Sequence, residues 1–394
     1  GRINAFRALS ETGISLPEEA KVALESFTFT DENGNNIIEP GETVDFDFTL
    51  HNYSMFECTE NFTLTLISSD PEITVSSGAY TCIIPPDGSF EVNDVFQVEV
   101  SDQATCHMGN LKITIDGAVP VVIGNEIPVN PLIAPEGVLV IDGNDKQTDL
   151  SGWYINEITQ QLGVPMLYSN CVPESSIQGF DAVFLSFGNF GSNYIPFDNT
   201  LASKVFLYLV NGGRDYIEGG DALGFDQAGN TGLLNKLGLA SVNDGTAPEK
   251  PITQLEGQEG TLTEGMLFTG STQSSNIWID IYNPINAEDA AFIESTVGKV
   301  GVQYAGSYGQ KSFCFSYTLA SLADANETSS RNQLIFNILE FFDLDIPAGY
   351  LLGEFKQDTL YGAPPFEVNF EDISISDPDN PVWAWQWDFD NDGV

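Results

Sequence analysis

The chain has 394 residues, with 57 Asp plus Glu against 13 Lys plus Arg, a formal net charge of -44. So acidic a surface repels phosphate backbones and anionic lipid faces, which argues against nucleic-acid binding and against docking on acidic membranes. Hydrophobic residues make up 42%, enough for cores over about two to four domains, and no apolar run is long enough to cross a bilayer. The excess of carboxylates fits a soluble extracellular protein that recruits divalent cations, and equally a well-solvated surface. Cys58, Cys82, Cys106, Cys171 and Cys314 form no C-x-x-C pair, so no zinc ribbon or thioredoxin-like motif is indicated. Disulfides with one thiol left over and buried free thiols both remain open.

In chain order, GRINAFRAL (Gly1 to Leu9) has amphipathic helical spacing. It resembles the last helix of subtilisin-like serine protease domains, and residues 1–20 are expected to be such a tail. The resemblance implies that the family's catalytic Asp, His and Ser lie upstream, since none of the motifs around them occurs here. No secretion signal stands at Gly1 either.

Residues 21–132 read as all-β. VDFDFTLHN, FTLTLISS, VFQVEVSD and LKITIDG alternate apolar and polar residues between turn signals, a spacing that predicts a β-sandwich of about seven strands. Just before VDFDFTLHN lies DENGNNIIEPGE, which sets Asp31, Asn33 and Asn35 at positions 1, 3 and 5 of a twelve-residue loop. Ile37 at position 7 can offer its carbonyl and Glu42 at position 12 can bind bidentately, because Ca²⁺ takes six to eight hard oxygens. Position 6 is Asn36, which tolerates the left-handed turn a glycine would make. No flanking helices are expected, so this calcium loop would sit on a sandwich edge, and it resembles loops in accessory β-domains of secreted bacterial proteins. A polar hairpin turned by PGE is the plainer reading. NPLIAP, Asn130 to Pro135, reads as a linker.

Residues 136–347 change character. GVLVID, DAVFLSF, RDYIEGG, KVGVQYA and KSFCFSY are apolar strands, with Cys314 in the core of the last. YINEITQQLG, LASKVFLYLVNGG and SSRNQLIFNILEFFDL have helical period, the first closing on Gly163 and the second on Gly212. The alternation predicts a parallel sheet with helices on both faces. With the stretch VNGGRDYIEGGD, it resembles the flavodoxin-like sheet of class I glutamine amidotransferase-like domains. That family places a Cys nucleophile on a strand-to-helix elbow, with His and Glu partners. The matching Glu218-Gly219-Gly220-Asp221 has no Cys, and the chain's two histidines, His51 and His107, both lie in the β region. The α/β region is therefore expected to be catalytically silent. Asp142, Asp145 and Glu218 stand where such sheets bind ligands, and paired carboxylates there could hold a metal or act on a glycoside.

Residues 350–394 carry Gly362, Pro365, Val368, Phe370 and Ser374, then Trp385, Trp387, Asp388, Phe389 and Gly393. They resemble the first half of a PKD domain, an immunoglobulin-like β-sandwich. Asp388, Asp390 and Asp392 before Gly393 form a second, incomplete candidate calcium string. A carbohydrate-binding role is a weaker idea, because Trp153, Trp278, Trp383 and Trp385 read as core or turn residues.

The expected fold class is multi-domain, β plus α/β: an immunoglobulin-like β-sandwich, a flavodoxin-like parallel α/β domain, and a partial PKD-type β-sandwich. The expected function is that of a non-catalytic extracellular or cell-surface structural or adhesion segment. Calcium is its cofactor, and other copies of itself or surface components are its partners. The alternative is an accessory C-terminal region of a secreted subtilisin-like protease.

Overall fold

The computed structural model describes residues 19–55, 61–117, 121–123, 126–143, 149–173, 176–188, 196–220, 222–246, 249–271, 276–357 and 367–385. They divide into two compact units, Gly1–Pro135 with Pro173–Gly179, and Glu136–Val172 with Phe180–Val394. The GRINAFRAL helix, Cys58, Asp145, Asp221, Gly362, Pro365, Trp387, Asp388, Phe389, Asp390, Asp392 and Gly393 lie outside the described residues.

The first unit contains β1 (Ala20–Thr30), β2 (Thr43–Asn52), β3 (Phe62–Ser68), β4 (Ile73–Ser77), β5 (Ala79–Cys82) and β6 (Gly88–Val100). They are followed by β7 (His107–Met108), β8 (Leu111–Gly117), β9 (Val121–Ile123), β10 (Glu126–Val129) and β11 (Leu132–Ile133). Two sheets, ordered β4-β6-β2-β1-β9 and β10-β8-β3-β5, make a β-sandwich. The period-2 pattern of β2 explains it: Val44, Phe46, Phe48 and Leu50 are buried while the residues between them are partly or fully exposed. Phe46 stacks on Phe48 at 5.9 Å, and Phe48 meets Phe96 of β6 edge-on at 5.5 Å. Phe62, Leu64 and Leu66 of β3 and Ile113 and Ile115 of β8 belong to the same core. NPLIAP is not a free linker. Leu132 and Ile133 pair with Met108 and His107 and are buried.

The second unit begins with β12 (Val138–Asp142), α1 (Ser151–Gln161), β13 (Met166–Ser169), β14 (Ala182–Ser186), α2 (Asn199–Val210) and β15 (Arg214–Glu218). Next come α3 (Thr231–Lys236), β16 (Leu239–Asn243), β17 (Leu255–Gly257), β18 (Leu267–Gly270) and β19 (Ile281–Pro284). Then follow β20 (Ala290–Glu294), β21 (Gly298–Ala305), β22 (Lys311–Phe315), β23 (Leu322–Ala323) and α4 (Arg331–Phe341). The main sheet runs β13-β12-β14-β15-β22-β21-β20-β17-β18-β23. Its first five strands are parallel. The other half is antiparallel, which corrects the expectation of a wholly parallel sheet: KVGVQYA (β21) pairs antiparallel with KSFCFSY (β22). A strand buried on both faces reads the same in either direction, so its pattern could not reveal this.

Side-chain or glycine caps close α2 at both ends and α1 at its C-terminus. Asp198 Oδ1 accepts from the Thr200 and Leu201 amides at 3.0 and 2.9 Å. Gly163 and Gly212 stop α1 and α2 at φ +73° and +89°. The last strands are short: β24 (Leu351–Leu352), β25 (Phe355–Gln357), β26 (Phe370–Asp372) and β27 (Ile375–Ser376). Leu352 and Ile375 join the core of the second unit. Trp278 lies in a bend at φ +58°. Trp153, Trp383 and Trp385 are 43%, 88% and 55% exposed, contrary to the expectation that they are core or turn residues.

Candidate metal centre

The loop Asp31–Glu42 joins β1 to β2 at one end of the sandwich, where the antiparallel ladder closes at Thr30–Asp45. Three backbone positions bend it, Gly34 at φ +74° among them. Asn36 sits at φ +62° and Gly41 at φ +83°, where a Cβ would lie 2.7 Å from Asp102 Oδ1. Backbone bonds from Val100 N to Glu42 O (2.9 Å) and from Gly41 N to Ser101 O (3.2 Å) pin the far end of the loop to the end of β6. Ile38 plugs into the core beneath, 1% exposed.

The side chains converge. Asp31 Oδ2 and Asn35 Oδ1 both accept from the Ile37 amide, at 3.1 and 2.7 Å. Asn33 Oδ1 accepts from Asn35 N at 2.9 Å. Asn33 Nδ2 donates to Glu39 Oε2 at 2.6 Å and to Glu42 Oε1 at 2.8 Å, and Asn35 Nδ2 donates to Glu39 Oε2 at 3.1 Å. Glu42 Oε2 accepts from the Glu39 amide at 2.9 Å. Asp31 and Glu42 are buried, at 6% and 9% exposure. Among the described residues, none of Asp31, Glu32, Glu39 and Glu42 pairs with Lys, Arg or His. Burial raises the Glu42 carboxyl above its ordinary value, and the charges of Glu39, Asp31 and Glu32 push it further.

The loop gathers carboxylate and carboxamide groups in one place. The carboxamide nitrogens of Asn33 and Asn35 stand between carboxylates, while their oxygens accept from the Asn35 and Ile37 amides. The loop's donors are carboxylates and carboxamides, types that calcium takes. It is a mixed set, for among the described residues no three His, Cys, Asp or Glu side chains alone could hold a metal. Glu39 was missed by sequence reasoning. Its signal was present, since it occupies position 9 of the twelve, where calcium loops often reach the ion through water.

In the second unit, Asp142, Ser186 and Glu218 end β12, β14 and β15 side by side in register. All three are buried, at 2%, 0% and 0% exposure. Glu218 accepts from the Ser186 hydroxyl, from Tyr216 Oη at 2.7 Å and from Leu319 N at 2.7 Å. Burial, then the nearby charge of Asp149, pushes its pKa up to about 8. Asp149, which sequence reasoning did not single out, accepts from Ser151 N and Thr318 Oγ1, both at 2.8 Å. Asp142 accepts from the Tyr168 hydroxyl. Among the described residues the row is a buried polar network. Cys314 is fully buried in β22, its thiol pushed well up by burial and then by the nearby Asp215.

Comparison with known proteins adds little. No protein-family model matches the chain, and no curated protein does. Among solved structures, a lipoprotein from Bacteroides thetaiotaomicron aligns at 12% identity and TM-score 0.17, over 35% of this chain and 90% of its own. A beta-galacturonidase from Eisenbergiella tayi, bound to galacturonate, aligns at 10% identity and TM-score 0.23, over 44% of this chain and 34% of its own. A calcium-binding mutant of Bacteroides uniformis beta-glucuronidase 2 aligns at 8% identity and TM-score 0.25, over 54% of this chain and 30% of its own. The matched part thus spans about a third of either glycosidase, and likenesses this distant carry no argument about function.

Proposed function

We propose that this chain is a calcium-stabilised, non-catalytic segment of an extracellular or cell-surface protein, with a structural or adhesive role. The observation that carries it is the loop Asp31–Glu42, where two buried carboxylates, Glu39 and two carboxamides face one another without a cationic side chain. Binding a divalent ion there would relieve that repulsion and tie the β1–β2 connection to the end of β6. A folded-state ligand stabilises by mass action, by about 2.7 kcal/mol at a hundredfold excess over Kd. The five parallel strands of the second unit follow the order 2-1-3-4-5 of flavodoxin-like sheets. The carboxylate at the elbow position, Glu218, is fully buried.

The test is a thermal melt in millimolar calcium and again in chelator. The midpoint of the first unit should rise with calcium, and Glu42→Gln should abolish most of that rise while keeping the fold. Identical curves with and without calcium would remove the proposal. Light scattering on the same samples would report whether calcium also drives assembly.

A further inference from the structure

The loop holds Asn33–Gly34, one of two Asn–Gly pairs in the chain, the other being Asn211–Gly212. Such a pair can react with itself. The glycine amide nitrogen attacks the Asn carboxamide carbon, a C–N bond forms, and ammonia leaves from the resulting succinimide. Water then opens the ring to aspartate or isoaspartate. The net change is carboxamide plus water to carboxylic acid plus ammonia, with no redox step. The reaction needs a free glycine N–H, room for the ring and an activated carbonyl.

Asn33 offers an open glycine and a polarised carbonyl, although its carboxamide nitrogen is held by Glu39 and Glu42. It is exposed. Gly34 N makes no hydrogen bond among the described residues, and a Cβ at Gly34 would meet nothing within 4 Å. The Asn35 amide donates to Asn33 Oδ1 at 2.9 Å, drawing electrons from the carbon under attack. Asn211 is built otherwise. Gly212 N donates to Leu209 O at 3.1 Å, and a Cβ at Gly212 would lie 3.2 Å from Tyr308 O. Asn211 N is itself shared between Leu207 O and Tyr208 O at the end of α2.

We propose that Asn33 is a site of spontaneous deamidation, with water as the co-substrate, and that Asn211 is protected from it. The product removes the Nδ2 donor that bridges Glu39 and Glu42 and places a further carboxylate beside them. Without a cation the loop loosens. With one, it gains an anionic oxygen ligand at position 3, a consequence that rests on the calcium reading.

The experiment ages the whole chain in chelator at mildly alkaline pH, digests it, and measures the NH-to-O mass gain and isoaspartate at each site. Asn33 should convert faster than Asn211 by roughly tenfold or more, the factor one retained hydrogen bond would give. Equal conversion, or none at Asn33, overturns the proposal. Asn33→Asp is then titrated with calcium and melted in chelator. It should bind calcium more tightly and melt lower without it. If Asn33 ages but neither protein responds to calcium, the modification stands and the calcium reading falls. If calcium stabilises but Asn33 stays intact, the calcium reading stands and the deamidation falls.

Discussion

His107 clamps two loops of the first unit through both ring nitrogens, Nδ1 to Thr105 O at 2.7 Å and Nε2 to Asp70 Oδ2 at 2.8 Å. Both contacts call for a donor, so the ring is held as imidazolium. Burial pulls its pKa down, but the Thr105 carbonyl and Asp70 outweigh burial and leave it above 6.5. Burial likewise pulls Asp70 up, but the Glu72 amide, His107 and the Asn110 amide leave it below 3.8. The signs follow from linkage. The His107 contribution is full below its ordinary value and is lost as pH rises through its folded value. The Asp70 contribution is present above its ordinary value and is lost in acid. His107→Gln should therefore cost about 1–2 kcal/mol in mildly acidic buffer, and the difference from the parent should shrink as the buffer turns alkaline, read by denaturant melts. Asp215 in β15 is the opposite case. It is fully buried and neither carboxylate oxygen has a hydrogen-bond partner, so burial raises its pKa well above 3.8. Its contribution is full below that ordinary value and is lost as pH rises toward the folded value. Asp215→Asn should be more stable than the parent, with the gap widening by up to about 1.4 kcal/mol per pH unit. A constant gap across pH would contradict this. The sequence could not announce this residue, because an Asp at the start of RDYIEGG reads as a solvated strand end. Asp31 and Glu42 were singled out by their spacing, which gives no sign of their burial.

Among the elements, the turn between β20 and β21 hangs on one carboxylate. Glu294 accepts from the amides of Thr253, Gln254, Thr296 and Val297 at 2.9, 3.3, 2.6 and 2.9 Å, and from Thr296 Oγ1 at 2.7 Å. Burial alone would raise its pKa, but the Thr296 hydroxyl and these amides hold it below the ordinary value. Glu294→Gln turns an N–H group against N–H groups and should cost about 2–3 kcal/mol, seen as a lower midpoint for the second unit alone. Element by element, VDFDFTLHN was readable because one face is buried and the other is not, which leaves a period of two. Gly163 and Gly212 were readable as helix ends because positive φ favours glycine. The direction of β21 and the fate of NPLIAP were not. Prolines around Leu132 and Ile133 look like a linker, and only the partner strand β7 reveals that the pair is buried.

Across the whole molecule, a net charge of -44 means that each folded unit carries self-repulsion that salt relieves. Thermal midpoints should rise with monovalent salt generally, whereas calcium at constant ionic strength should move one of two calorimetric transitions and leave the other in place. Movement of both by the same amount would point to general screening instead of a site. The segment Pro173–Gly179 groups with the first unit although the chain on either side of it belongs to the second. Neither unit is therefore one continuous run of codons. A gene cut once, after Pro135, would encode a first unit lacking part of itself and a second unit carrying a stretch that belongs elsewhere. Recombination that swaps either unit would need breakpoints on both sides of 173–179.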